Sequence, residues 1–247
     1  MTFPDVFSEA AGRYAASRPR YPDGMFARFA ALAPGRDRAW DCGTGSGQAA
    51  IGLARWFDRV EATDASAAQI ESALAHERVA YSVRTAEDSG LPDASIDLIS
   101  VAQALHWFDR PRFFAEARRV LKTGGVLAAY GYSWFYISPE IDASVDEFLL
   151  RPVAGHWLPG NRLLWDGYRS IDFPFDEISP PRLAIHGAWS LEQLFDYYLT
   201  WSATRAALKS AGIDFLSLAR QRLAQAWGDP AMERPVIMPL SIRLGRM

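Results

Sequence analysis

Between residues 38 and 130, short apolar runs alternate with segments whose apolar positions recur every three or four residues. Runs at 39–41, 59–64, 79–84, 96–101 and 126–130 have strand length. The first intervening segment puts Ala50, Leu53, Ala54 and Phe57 on one helical face, and the second runs from Ser66 to about Ala75. A third begins after Asp109 and aligns Phe113, Phe114, Ala117, Val120 and Leu121, with Gly124-Gly125 as its expected stop. Strands separated by helices imply βαβ units and a doubly wound α/β fold. Upstream, residues 1–37 read as mainly helical. There the Arg18-Pro19-Arg20-Tyr21-Pro22 break precedes a stripe of Met25, Phe26, Phe29, Ala30 and Leu32, which ends at Pro34-Gly35.

After Gly131 the alternation is lost. Residues 132–175 mix aromatics, Pro and Gly without a period, and read as an irregular or helical insertion over one end of the sheet. The pattern predicts a strand over 178–189, helices at about 190–200 and 213–227, and a last strand over 236–244. Phe215, Leu218, Leu223 and Trp227 are candidate core positions on the second helix. The expectation is a mostly parallel, seven-stranded sheet in a single domain over 1–247. Its parts would be a helical segment (1–37), a ligand-binding core (38–130), a helical, aromatic cap (131–175) and a completion of the sheet (176–247).

The composition of the 247 residues, 49% hydrophobic and 22% charged, excludes disordered and fibrous classes. A net charge of −3 gives no footprint for nucleic acid or an anionic membrane. The single cysteine, Cys42, excludes an internal disulfide framework and reads as a small packed residue, not a nucleophile. His76, His106, His156 and His186 are too isolated for a zinc site, so no metal is expected. No apolar run reaches about 18 residues, and the N-terminus lacks a leader-like stretch, so a cytoplasmic location is expected. No obligate protein partner is evident. The one oddity is that 16 of the 32 aromatics fall between Tyr130 and Trp201.

The chemistry is concentrated in Asp41-Cys42-Gly43-Thr44-Gly45-Ser46-Gly47-Gln48. Glycines at alternate positions between a strand and a helix permit a tight turn and the close approach of a ligand to the main chain. Asp64 ends the next strand, 17 residues after Gly47, where an acid can accept both hydroxyls of a ribose. Gly45-x-Gly47-x-x-Ala50 also satisfies a dinucleotide fingerprint. Against that stand the 38 residues before the first strand, an acid at Asp41 that suits an ammonium better than a pyrophosphate, and the lack of Arg or Lys in the turn. These points favour S-adenosylmethionine, which carries no phosphate.

Asp41-x-Gly43-x-Gly45-x-Gly47 resembles the first motif of class I S-adenosylmethionine-dependent methyltransferases. The resemblance continues through Asp64, Ala86-Glu87-Asp88, Leu91-Pro92, Ile96-Asp97-Leu98-Ile99 and Arg119-Val120-Leu121-Lys122-x-Gly124-Gly125. A narrower likeness, to the trans-aconitate methyltransferase-like subgroup, lies in Tyr14-x-x-x-Arg18-Pro19-x-Tyr21-Pro22, in residues 102–108 and in Leu199-Thr200-Trp201-Ser202. Cys42 stands where branched aliphatics are usual, and Ala39-Trp40 makes a lean first strand.

The resemblance implies a Rossmann-like fold and a role for each matched residue. Asp41, Gly43 and Gly45 would hold the aminoacyl part of the cofactor, and Asp64 the ribose, with Ala65 beside the adenine. Ala86 and Glu87 would flank the adenine, Gln103 would face the methionine, and Tyr14 and Arg18 would close the pocket. Asp41 and Asp64 also fit simple capping roles, and the Arg18 and Arg20 charges could merely be solvated. His106 is open between an active-site contact, as the base a hydroxyl acceptor would need, and plain packing. The expected activity is O-methylation of a small carboxylic acid held near Arg20, Tyr21, Trp107, Tyr132 and Trp134. The alternatives are a nicotinamide-dependent oxidoreductase and a non-catalytic S-adenosylmethionine-binding protein.

Overall fold

Five of the apolar runs become adjacent strands. In the computed structural model, which describes residues 19–211 and 215–247, these are β1 (Arg38–Cys42), β2 (Arg59–Asp64), β3 (Val79–Val83), β4 (Ile96–Ala102) and β5 (Leu121–Tyr132). They pair in parallel, in the order β3-β2-β1-β4-β5. Three antiparallel strands extend the β5 edge: β6 (Asp176–Ile178), β7 (Ala184–Trp189) and β8 (Arg234–Arg246). β8 lies along β5, while its other side takes β6 near Arg246 and β7 near Arg234.

The sheet therefore has eight strands where seven were expected. The run at 178–189 is two strands, because Pro180 and Pro181 carry no N–H for a ladder and interrupt it.

The connecting helices are α1 (Asp23–Leu32), α2 (Gln48–Leu53), α3 (Ala67–Glu71) and α4 (Arg110–Val120). α1 buries Met25, Phe26, Phe29 and Ala30, as its stripe predicts. α3 stops at Glu71, short of Ala75. Ser66 caps it, but Gln69 is the one residue it buries, so no apolar face holds further turns. α4 ends at Val120, before the two glycines, and the chain passes directly into β5. Gly124 (φ +76°) instead serves the register shift where β5 moves from pairing Ile96 to pairing Leu98.

The insertion is helical. α5 (Pro139–Val145) continues through a wide turn at Asp146–Leu150 into Arg151–Val153, and α6 (Asn161–Trp165) follows. α7 (Leu191–Leu199), α8 (Ser202–Ala211) and α9 (Phe215–Trp227) complete this half. α9 buries Ala219, Leu223 and Trp227, which leaves Leu218, one position off that stripe, 48% exposed. α8 is an element the apolar pattern does not announce.

Strand alternation divides the core in two. Leu98, Val126, Ala128 and Tyr130 face α1, α2 and the cap helices, whereas Ile99, Leu127 and Ala129 face α4, Leu164 and Phe173. Among the described residues, no helix is long and apolar enough to cross a membrane.

The lower end of the sheet is pinned by Asp97, which is 1% exposed. It accepts the Arg38 N–H at 3.0 Å and both its oxygens meet Lys122 Nζ, at 2.9 and 3.0 Å. Lys122→Met leaves that carboxylate buried without its cation. The expected cost is about 2–3 kcal/mol in urea unfolding, since Lys122 keeps some contact with water. Adding Asp97→Asn should recover about half of the loss; a strictly additive double variant would contradict the pairing.

Candidate active site

β1 delivers Asp41 to the start of the glycine turn with no exposed surface. Thr44 donates its hydroxyl to one carboxylate oxygen at 2.6 Å, and Ser100 of β4 donates to the other at 2.9 Å. The single hydroxyl hydrogen of Ser100 is thereby committed, so Tyr130 of β5 donates to Ser100, at 2.9 Å. One carboxylate thus ties the turn to three neighbouring strands. Burial pushes its pKa up to about 6, against the opposing pull of the Thr44 and Ser100 hydrogen bonds.

Past Asp41 the backbone turns through Gly43, Gly45 and Gly47 at φ +71°, +54° and +85°, conformations other residues reach only with strain. At Gly43 a Cβ would also meet Ala104 Cβ at 2.7 Å. The turn is locked to the next strand by Asp64. One of its oxygens accepts the Gly45 N–H at 2.9 Å, and the other accepts the Ser66 N–H at 2.9 Å. Each oxygen keeps a lone-pair direction for a ligand hydroxyl. Burial lifts the Asp64 pKa above its ordinary value, and the two N–H groups hold it back.

Above the carboxyl ends of the strands opens a cleft of about 1190 Å³. Its wall brings together Gly43, Gly45, Asp64, Ala65, Ala86, Glu87 and Gln103, with Arg20, Tyr21, Trp107 and Tyr132. Asp41 lies behind the turn, outside the wall. Tyr14 and Arg18 fall outside the described residues. Trp134 is not on the wall; it packs 5.5 Å from Trp165 and 6.2 Å from Trp157.

Gln103 occupies a positive φ of +55°. Its N–H donates to the Tyr130 carbonyl and its side-chain amide to the Tyr132 carbonyl, both at 2.8 Å. These bonds staple the end of β4 to the end of β5. Gly131 must lack a side chain here, since a Cβ would lie 2.6 Å from Gln103 Oε1. Glu87 accepts the Asp109 N–H at 2.9 Å.

His106 is 6% exposed and turned away from the cleft wall. Its Nδ1 sits 3.0 Å from the Tyr168 hydroxyl, the two rings stack, and burial pushes its pKa down to about 3, so the imidazole is neutral. His106 therefore packs against Tyr168 behind the cleft wall.

Sequence reasoning missed the partners of Asp41, because Ser100 and Tyr130 lie on distant strands and form no local motif. It also missed Arg84, Arg110 and Arg112 on the cleft wall, which look like any other surface arginines in the sequence.

Residues 40–129 match the Methyltransferase domain family. A Dictyostelium discoideum protein with a provisional methyltransferase name is 32% identical over 229 residues, spanning 91% of this chain and 87% of that protein. A solved Anaeromyxobacter dehalogenans structure, provisionally described as a type II methyltransferase, is 45% identical with a TM-score of 0.87. The match covers 93% of this chain and 97% of that one. An Anabaena variabilis structure, provisionally described as a methyltransferase from an antibiotic biosynthesis pathway, shares the fold at 18% identity and a TM-score of 0.54, over 92% of this chain and 99% of that one.

Asp41 generates a pH signature in the free protein. Folded, it holds its proton to about pH 6; unfolded, it releases it near the ordinary carboxylate value of 3.8. Between those values folding takes up a proton, so stability falls as pH rises, to a cost of about 3 kcal/mol at pH 7. Asp41→Asn abolishes this contribution. The difference between wild-type and variant unfolding free energies should therefore change by about 2.4 kcal/mol between pH 4 and 7; a flat difference would contradict a raised Asp41.

Proposed function

Because the chain belongs to the S-adenosylmethionine-dependent methyltransferases, we infer that it methylates a carboxylate oxygen of a small acid. The family assignment sets aside the nicotinamide alternative and makes S-adenosylmethionine the cofactor.

The described residues fit that cofactor. The glycine turn leaves Gly45 open, with Gln69 Oε1 at 3.7 Å as the nearest atom to a hypothetical Cβ. The backbone at Gly43 and Gly45 would hold the aminoacyl group, with Asp41 fixing the turn from behind. Asp64 would take the ribose hydroxyls on its remaining lone pairs. Ala65 and Ala86 would leave a flat slot for adenine, with Glu87 near its amine. Gln103 would face the methionine portion. When bound, S-adenosylmethionine supplies a sulfonium methyl with a neutral thioether leaving group, so placement of the acceptor provides most of the acceleration.

The observation that carries the carboxylate reading is the charge on the cleft wall. Arg20, Arg84, Arg110 and Arg112 line it with no carboxylate partner among the described residues. The four wall acids are engaged: Asp23 pairs with Arg55 at 2.6 Å, Asp64 holds two N–H groups, Glu87 holds one, and Asp109 caps α4 by accepting the Arg112 N–H at 3.5 Å. Arg20, next to Tyr21 on the same wall as Tyr132, would orient an anion at the methionine end. The wall also carries no imidazole or thiol among the described residues, and a carboxylate acceptor needs no base. The likeness of residues 102–108 and 199–202 to the trans-aconitate methyltransferase-like subgroup supports the same acceptor class.

Screening small mono-, di- and tricarboxylic acids for S-adenosylhomocysteine release tests this. At least one acid should turn over, and Arg20→Ala should raise its KM about tenfold, with S-adenosylhomocysteine affinity nearly unchanged. Activity confined to phenols, thiols or amines would overturn the carboxylate assignment.

A further inference from the structure

The ring of Tyr81, on β3, lies against the glycine turn. A Cβ on Gly47 would sit 2.9 Å from Tyr81 Cζ and closer still to its hydroxyl. Gly47 therefore lacks a side chain for two reasons, its φ of +85° and the ring beside it. Past the glycine, the Tyr81 hydroxyl donates to the Leu74 carbonyl at 2.8 Å. Burial, with Asp41 adding to it, pushes the pKa of that hydroxyl up to about 12, so it stays a donor at working pH.

Leu74 lies three residues past α3 and is fixed at both of its main-chain groups. Its N–H donates to the Ser46 carbonyl in the turn, at 3.1 Å, while its carbonyl takes the Tyr81 hydroxyl. Yet the residue is 56% exposed. One exposed leucine on a convex surface would mean little. This one lines the cleft and is bonded to the turn itself. The strand order β3-β2-β1-β4-β5 sets which end of the cleft it borders. Tyr81 stands on β3 beside β2, which ends in Asp64, whereas Gln103 and Tyr132 close β4 and β5 on the other side of β1.

We propose that Leu74 contacts the adenosine half of bound S-adenosylmethionine, and that Tyr81 is the positioning residue that holds it there. The faces of adenine are flat and weakly hydrated, so an aliphatic side chain laid over them removes apolar surface on both partners from water. A residue whose main chain is already fixed loses less freedom when the ligand arrives. The inference rests on the cofactor assignment and is independent of which acceptor is methylated.

Calorimetric titration with S-adenosylhomocysteine and with 5′-methylthioadenosine, which lacks the amino-acid end, tests this without turnover. Leu74→Ala should weaken both about fivefold at an unchanged Tm, and Leu74→Met should bind like wild type. Tyr81→Phe should weaken both about threefold alone and add nothing further to Leu74→Ala. Leu74→Ala affinities equal to wild type would overturn the contact. A loss confined to S-adenosylhomocysteine would put Leu74 at the methionine end and overturn the adenosine placement. A Tyr81→Phe penalty of the same size in both backgrounds would make the tyrosine a general support of the turn and overturn its positioning of Leu74. A wild-type chain that binds neither compound would sink the cofactor assignment and this proposal with it, a result no Leu74 variant can mimic.

Discussion

A carboxylate with no exposed surface and no cation acting on it sits under the glycine turn, and the rest of the cleft floor is arranged around it. Removing Asp41 from water is unfavourable, and beside a main-chain hydrogen bond from Ala50 it is two hydroxyl hydrogen bonds that offset the cost. Those bonds come from the turn and from β4, and a third hydroxyl, from β5, extends the network. The glycine turn thus has its geometry specified by three strands as well as by its own glycines. Tyr130 carries the connection outward, since its ring meets Tyr21 edge-on at 5.0 Å and Phe29 at 5.3 Å. The glycine turn, the sheet and the first helix are coupled through one buried acid.

The parallel half of the fold was legible in the sequence because its signals are local. A strand buried on both faces is a short apolar run, and a helix lying on the sheet is a stripe. Asp64 was found because an acid at the end of the strand that follows a glycine-rich turn is a nearby pattern. The antiparallel edge was harder to read: β8 serves β5, β6 and β7 at once, and no short-range periodicity encodes a strand shared among three partners. Leu218 shows a smaller failure, in which a one-residue error in phase, about 100° on a helix, moves a side chain from core to solvent.

The candidate site divides the same way. Glycines and acids beside them announce a cofactor turn, and those residues do line the cleft or brace it. His106 was ambiguous because a histidine just after a strand can face either side of its turn. Here the Tyr168 hydroxyl draws it inward. The aromatic excess was visible as composition, but only packing shows which rings form the group around Trp134, Trp157 and Trp165 and which, like Tyr198, lie wholly in the core.

Cys42, at the end of β1, has no exposed surface, and burial pushes its thiol well above the ordinary range, with Asp41 adding to the effect. Alkylating reagents need both access and a thiolate, and the folded chain offers neither. Because β1 lies between β2 and β4, reagent reaches this sulfur only when the centre of the sheet parts. The chain's single thiol is therefore a built-in clock: its slow modification counts openings of the innermost strands, in the folded protein and without any added label.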